Sequence, residues 1–310
     1  FLKEEKMQSH ITGKVLMIRP VCFGYNEETA VNNYYQKKDT KSSREIQEEA
    51  LEEFDTMVEV LRKYKIEVKV LEDTLQPYTP DSIFPNNWFS SHENGRIVLY
   101  PMFAENRRLE RREDIYDFFN EDKMNILDYS PLEKEEIYLE GTGSLVLDRK
   151  NRKAYCSLSK RADERLLDIF CQDLGYQKIA FHSYQTVEME RKEIYHTNVM
   201  MSVGEKFAIL CADAIDDLQE RKKVIESLEQ DKKEIILITE TQVEHFLGNA
   251  LELKNEEGVH LCIMSATAEK ILTDEQRKSL EKYAVIIPVK VSTIEKYGGG
   301  SARCMLAELY

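Results

Sequence analysis

Short apolar runs recur along this chain in pairs, each pair split by a polar turn and led in by Asn or Gly. One pair is Trp88-Phe89 and Ile97-Val98-Leu99-Tyr100, around Glu93-Asn94-Gly95 and led by Asn87. The next are Leu145-Val146-Leu147 with Ala154-Tyr155-Cys156, led by Gly143, and Val199-Met200-Met201 with Phe207-Ala208-Ile209-Leu210, led by Asn198. A fourth is Ala250-Leu251-Glu252-Leu253 with Val259-His260-Leu261-Cys262, led by Asn249. Such runs around Asn/Gly turns predict β-hairpins. The lead-in positions 87, 143, 198 and 249 lie 56, 55 and 51 residues apart, and another 55 reaches Cys304. A period this regular predicts stacked or radial modules.

Between the hairpins the periodicity changes to that of helices. The clearest runs from Ser43 to Lys65, with Ser43 as its cap and Ile46, Ala50, Leu51, Phe54, Met57, Val58 and Leu61 on one face. Similar patterns span 106–119, 162–174, 213–228 and 273–283. Runs at 67–70, 235–238 and 285–288 add a further strand per module. The fifth hairpin lacks its second half after Cys304, and Val15-Leu16-Met17-Ile18 is an unpaired apolar run. Pairing the two closes a ring and removes exposed sheet edges. The chain therefore reads as one α/β domain over 1–310, with residues 1–10 as a flexible extension.

Composition narrows the functional classes. The formal net charge is −14 and no basic cluster is dense enough to track phosphates, which argues against nucleic acid. No apolar run approaches the roughly 18–20 residues that cross a bilayer, so no membrane partner is expected. Six cysteines without CxxC spacing read as free thiols in a cytoplasmic protein. No metal-ligand spacing stands out, and the glycine runs lack the Lys-Ser/Thr of a phosphate loop.

The repeat gives certain residues a shared place. Successive lead-in positions carry Asn86-Asn87, Glu140-Gly141-Thr142-Gly143, His196-Thr197-Asn198, Gly248-Asn249 and Cys304. In a ring of equivalent modules they face one another across the axis. Glu140, His196 and Cys304 thus converge as an orienting carboxylate, a base and a nucleophile. Cys156, Cys211 and Cys262, inside second hairpin strands, read as small core residues. His10, His92, His182, His245 and His260 read as structural.

At these motifs the chain resembles the guanidine-modifying, or pentein, superfamily of arginine deiminases, dimethylarginine hydrolases and amidinotransferases. The resemblance runs from about Val15 to Tyr310. It is carried by Pro80-Asp81-Ser82-Ile83-Phe84-Pro85-Asn86-Asn87-Trp88, Leu139-Glu140-Gly141-Thr142-Gly143, Ser159-Lys160-Arg161, His196-Thr197-Asn198, Gly248-Asn249 and Gly300-Ser301-Ala302-Arg303-Cys304-Met305. With Asn32-Asn33 and Asn106-Arg107-Arg108 it is most similar to the citrulline utilization hydrolases. The resemblance implies a five-bladed α/β propeller of ββαβ modules with pseudo-fivefold symmetry. It also implies Cys304 as nucleophile, His196 as general acid/base and Glu140 as the group that holds His196. Asp81 matches a contact to a substrate α-amino group, Phe84 an aromatic against the substrate stem, and Arg161 an arginine for the α-carboxylate.

Two positions depart from the superfamily's deiminases, which carry aspartates where this chain has Asn87 and Asn198. A carboxylate 4 Å from a guanidinium contributes roughly 4 kcal/mol at an effective dielectric of ~20. An amide offers a donor and an acceptor instead, which suits a neutral ureido group. The expected reaction is cysteine-dependent hydrolysis of L-citrulline to ornithine, ammonia and carbon dioxide, with no cofactor and no metal. A cationic His196 is expected to favour the Cys304 thiolate. Some arginine dihydrolases of the superfamily also carry asparagine at the first position, so arginine is the alternative substrate. A non-catalytic binding module on the same fold is a further alternative. A homodimer is a habit of the superfamily, and the loop Cys22-Phe23-Gly24-Tyr25-Asn26 is a candidate cover for the site.

Overall fold

The computed structural model describes residues 10–121 and 124–310. Apart from His10, the extension read over residues 1–10 lies outside the described residues. The strands in chain order are β1 (Lys14–Arg19), β2 (Glu67–Glu72), β3 (Phe89–His92), β4 (Arg96–Leu99), β5 (Asn125–Asp128), β6 (Val146–Asp148), β7 (Lys153–Ser157), β8 (Gln177–Phe181), β9 (Tyr184–Val187), β10 (Glu190–Glu193), β11 (Met201–Val203), β12 (Phe207–Leu210), β13 (Glu234–Leu237), β14 (Leu251–Lys254), β15 (His260–Ser265), β16 (Val285–Val289) and β17 (Ala307–Glu308). They form five three-stranded sheets of one design, plus the β9–β10 ribbon.

In four sheets a hairpin is followed by a crossover to a parallel third strand: β3-β4-β5, β6-β7-β8, β11-β12-β13 and β14-β15-β16. The fifth uses both ends of the described chain. β17 pairs antiparallel to β1, with Val15 opposite Glu308 and Leu16 opposite Ala307, and β1 pairs parallel to β2. The pairing expected between Val15–Ile18 and the segment after Cys304 is therefore present. The central strands are nearly continuous apolar runs because both of their faces are covered; Phe207–Leu210 is wholly buried.

The crossover helices explain the helical periods. Ser43–Lys63 buries Ile46, Ala50, Phe54, Met57, Val58 and Leu61, and Leu61→Ala there costs about 2–5 kcal/mol. Its cap is Ser42, not Ser43: the Ser42 hydroxyl accepts from the Glu45 N–H and the Glu45 carboxylate accepts from the Ser42 N–H. The helix expected from residue 213 begins at Leu218, where Asp217 caps two backbone N–H groups. The 106–119 pattern is not one helix. It breaks into the turn Glu105–Arg108 and the 3₁₀ segment Glu113–Phe118. Its arginines pull apart: Arg108 donates to the Met102 carbonyl, Arg111 to Glu133 and Arg112 to Asp114, while Arg107 turns inward.

The lead-in residues sit not at strand starts but in single turns just before them: Pro85–Asn87, Gly141–Ser144, Thr197–Val199 and Ala302–Met305. Hydrogen bonds pass between neighbouring turns. The Asn86 amide donates to Thr142 Oγ1 (3.2 Å), Thr197 Oγ1 to the Ser144 carbonyl (2.5 Å) and the Asn249 amide to the Asn198 carbonyl (3.0 Å). The Arg303 N–H then donates to Asn249 Oδ1 (3.0 Å). Among the described residues no helix is long and apolar enough to cross a membrane.

Candidate active site

Cys304 is presented by a glycine run that only glycine fits. The helix Ser292–Gly298 ends in Gly299 at φ +64°, and a Cβ there meets the Asn33 amide at 2.6 Å. A Cβ on Gly298 or Gly300 meets the Phe84 ring at 2.7 or 2.9 Å. Phe84 is thus buried against the run that leads to Cys304. Below it, buried Glu295 accepts from the Ser301 hydroxyl (2.6 Å), and the Ser301 carbonyl accepts from the Cys304 N–H (2.9 Å). Two amide donors point at Cys304 Sγ: Asn249 Nδ2 at 3.3 Å and Asn198 Nδ2 at 3.5 Å.

His196 starts the neighbouring turn. Its Nε2 lies 2.6 Å from Glu140 Oε2, while Glu140 Oε1 accepts from the Phe103 N–H at 2.9 Å. Burial alone raises a carboxyl pKa, but Arg161, with Nη1 3.5 Å from Oε2, and His196 outweigh it and hold Glu140 down at about 2. Burial, with Arg161 and Arg107 adding to it against the opposing Glu140, lowers His196 to about 4. The resting pair is therefore a carboxylate and a neutral imidazole. This corrects the expected cationic His196: the groups that touch Cys304 Sγ are neutral amides. With Nε2–H donating to Glu140, Nδ1 carries the free lone pair. It faces Gly143, whose Cβ, if present, would lie 2.7 Å from Nδ1 and 2.4 Å from Asn87 Nδ2. The missing side chain of Gly143 lets the Asn87 amide and the His196 imidazole pack directly against its backbone.

Three buried polar atoms here lack partners: Asn87 Nδ2, Asn198 Oδ1 and Asp81 Oδ1. An unpaired buried group costs about 1–3 kcal/mol, and three together mark a place shaped for something polar. Asp81 is held by its other oxygen, from Asn26 Nδ2 (2.8 Å) and Thr29 Oγ1 (3.1 Å), and burial raises its pKa against the pull of Arg107. Arg161 is fully engaged. It donates to Asn32 Oδ1 (2.9 Å) and the Thr29 carbonyl (2.9 Å), and its guanidinium stacks on Tyr195 at 4.7 Å.

The segment from Cys22 to Lys37 lies over these groups. Phe23 packs on Gly298, Asn26 reaches Asp81, Asn33 donates to the Gly298 carbonyl (3.2 Å), and the Lys37 N–H donates to the Lys296 carbonyl (2.7 Å). Beneath it Cys304 is only 4 % exposed. The structure thus brings Glu140, His196, Asn87, Asn198, Phe84, Asp81, Arg161 and Cys304 into one buried neighbourhood. Cys156, Cys211 and Cys262 are buried in strands or at their ends, and burial raises all three thiols.

Sequence reasoning missed Asn249, Arg107 and Glu110 as site residues. Asn249 already stood in the repeated position, so its place was readable. Arg107 and Glu110 carried the i,i+3 spacing of an ion pair, but nothing marked them as buried beside Asn87. Arg107 is 2 % exposed, donates to both oxygens of Glu110 (2.8 and 2.9 Å) and to Asn87 Oδ1 (2.7 Å). Burial pushes the Glu110 carboxyl up to about 7, and Arg107 stays charged. Among the described residues no group of three or more His, Cys, Asp or Glu could hold a metal.

Residues 19–310 match the family described as N,N dimethylarginine dimethylhydrolase, eukaryotic. No curated protein matches the chain. Among solved structures, the N-terminal domain of ArgZ bound to substrate, an arginine dihydrolase from the ornithine–ammonia cycle in cyanobacteria, is 17 % identical. The match covers 95 % of this chain and 97 % of that one, with a TM-score of 0.72. Unliganded AgrE is 17 % identical over 96 % of this chain and 39 % of its own, with a TM-score of 0.73. A dimethylarginine dimethylaminohydrolase adduct with S-methyl-L-thiocitrulline is 14 % identical over 96 % and 100 %, with a TM-score of 0.65. At these identities the likeness establishes a shared mixed α/β fold.

Proposed function

We propose that this chain, which belongs to the eukaryotic N,N dimethylarginine dimethylhydrolase family of the guanidine-modifying superfamily, is a cysteine-dependent hydrolase cleaving the ureido group of L-citrulline. The observation that carries the substrate choice is the pair of orphaned amide atoms, a donor at Asn87 Nδ2 and an acceptor at Asn198 Oδ1. A guanidinium has only donors, so it leaves Asn87 Nδ2 unpaired. A ureido carbonyl accepts from Asn87, and a ureido N–H donates to Asn198.

The roles follow from the neighbourhood. His196 Nδ1 takes the thiol proton as Cys304 Sγ adds to the ureido carbon. The His196 cation, stabilised by Glu140, returns that proton to the departing nitrogen, a step worth typically ~10²–10⁴-fold. An S-acyl intermediate remains. His196 then takes a proton from water as its oxygen attacks the same carbon and the Cys304–carbon bond breaks. His196 passes that proton to the Cys304 thiolate, and the carbamic acid so formed loses carbon dioxide, so that with either nitrogen departing first the products are ornithine, ammonia and carbon dioxide. Asp81 Oδ1 receives the substrate α-ammonium, Phe84 lies along the stem, and the α-carboxylate displaces Asn32 Oδ1 from Arg161.

A guanidino substrate, arginine or a methylated arginine, is the second reading, favoured by the family description and by the arginine dihydrolase likeness. Separate incubations with citrulline and arginine decide between them: ornithine and ammonia from citrulline support the proposal, and citrulline accumulating from arginine overturns it. Substrate-protected alkylation of Cys304 separates either enzyme from a silent binding module. We also propose that the five sheets close as a single five-bladed propeller around the linked turns, supported by the β17–β1 pairing. Free thiols at all six cysteines support a cytoplasmic setting. A homodimer, as in the superfamily, is checked by light scattering.

A further inference from the structure

We infer that Tyr195 is a positioning residue for the proposed reaction: its hydroxyl ties the glycine run that presents Cys304 to the backbone that carries His196, and its ring backs both His196 and Arg161. The inference rests on the roles proposed above for Cys304, His196 and Arg161, and adds a residue that does not itself meet the substrate.

The need for a tie follows from the run itself. Gly298-Gly299-Gly300 has no side chains to pack, and glycine loses more conformational freedom on ordering than any other residue. Neighbouring groups must therefore fix its place. The Gly299 N–H is held within its own helix, by the Glu295 carbonyl at 2.9 Å. The Gly299 carbonyl is held from outside. Tyr195 Oη donates to it at 2.7 Å, while the Asn33 amide stands farther off at 3.5 Å. Tyr195 is next to His196 in the chain, and Gly299 lies five residues before Cys304. One hydrogen bond thus spans the two elements that supply base and nucleophile. Tyr195 is 4 % exposed, and burial raises its pKa, so the hydroxyl keeps the proton it donates.

The ring has a separate part. Its centroid lies 4.6 Å from that of His196, and the Arg161 guanidinium stands over it at 4.7 Å. An aromatic face attracts a guanidinium without using its N–H donors. Arg161 is therefore held while its edge stays available to Asn32 and to the α-carboxylate proposed to displace Asn32. The Tyr195 carbonyl accepts from the Ser159 hydroxyl at 2.9 Å, which fixes this backbone to the turn bearing Arg161. Removing the hydroxyl alone should loosen thiol from base and leave the α-carboxylate contact intact.

The test measures kcat and KM for wild type, Tyr195→Phe and Tyr195→Leu on whichever of citrulline and arginine the wild type turns over. Beside it runs the rate at which iodoacetamide alkylates Cys304, followed on the Cys304 peptide by mass spectrometry. Iodoacetamide reacts with the thiolate, so this rate reports on the thiol and its base with no substrate present. Expected for Tyr195→Phe are a fivefold or larger fall in kcat and in alkylation rate, with KM within threefold of wild type. A smaller fall in either, or a loss carried by KM, overturns the inference; a purely structural hydroxyl would lower the thermal midpoint and leave both rates of the folded enzyme unchanged. Tyr195→Leu should add at least a threefold rise in KM, and a KM no higher than that of Tyr195→Phe overturns the part given to the ring. If Tyr195→Leu fails to fold, the near-isosteric Tyr195→Phe still decides. A wild type active only on arginine refutes the ureido reading while the Tyr195→Phe comparison stands, and if neither substrate is turned over the alkylation rate alone decides.

Discussion

Gly143→Ala drives one methyl group into the Asn87 and His196 side chains packed against the Gly143 backbone. Its Cβ would stand 2.4 Å from Asn87 Nδ2, 2.7 Å from His196 Nδ1 and 2.8 Å from His196 Cε1, where ordinary contact begins at 3.4 Å. The amide must therefore retreat by about 1 Å and the imidazole by about 0.7 Å. Neither is free to do so, since Arg107 holds the amide at 2.7 Å and Glu140 holds the ring at 2.6 Å. A misplacement of about 1 Å in a reacting assembly costs on the order of 10²-fold in rate, or about 3 kcal/mol of barrier. Overpacking of this kind should also cost about 1–3 kcal/mol of stability, with no added backbone strain because Gly143 is not left-handed. Gly141→Ala is the contrast: φ is +46° and its Cβ would meet the Asn86 carbonyl oxygen at 2.2 Å, so stability falls first. The assay is citrulline kcat/KM beside the thermal midpoint of each variant. A Gly143→Ala enzyme within threefold of wild type would refute the roles proposed for Asn87 and His196 in the reaction.

Cys304→Ser should abolish turnover while leaving the thermal midpoint within a few degrees, read by ornithine release and calorimetry. Glu140→Gln removes the charge that stabilises a His196 cation; kcat should fall by roughly 10²–10⁴-fold, with alkylation of Cys304 as the check that the site still forms. Glu140 at about 2 and His196 at about 4 both lie below their ordinary values of 4.5 and 6.5. Depressed pKa values give stability that is present at neutral pH and lost as protons are added. The loss should begin near pH 6.5 as His196's share fades, and continue below pH 4.5 toward 2 as Glu140's share goes. Each share is roughly 3 kcal/mol taken alone and less when combined, because the two groups touch. Urea midpoints measured from pH 7 to pH 4 should fall in the wild type and fall less in His196→Gln.

Much of the architecture was legible because it repeats. The 51–56-residue period locates four hairpins, and it sets Glu140, His196 and Cys304 in equivalent positions from sequence alone. β5 and β8 escaped notice because Asn125–Asp128 is largely exposed and Gln177–Phe181 opens on the polar Gln177 and Lys178, leaving too short an apolar run. The 106–119 helix failed because helical spacing cannot report that Arg107 turns inward while its neighbours turn out. At the site, residue types conveyed which groups take part but not their charge. Whether His196 rests as a cation depends on the depth of burial and on Arg161, which lies 35 residues away in sequence. The orientation of the Asn87 amide was equally hidden, since only a fixed donor beside it tells oxygen from nitrogen.

The strand that seals the first sheet begins three residues after Cys304. During synthesis the base, its carboxylate and every proposed substrate contact therefore leave the ribosome well ahead of the thiol. Until Ala307 and Glu308 emerge, β1 waits with one edge bare. Cys304 and the strand that covers this edge emerge almost together, so a chain arrested before Cys304 has neither the sulfur nor the seam. On the proposed roles, the nucleophile is thus coupled to the sealing of one sheet.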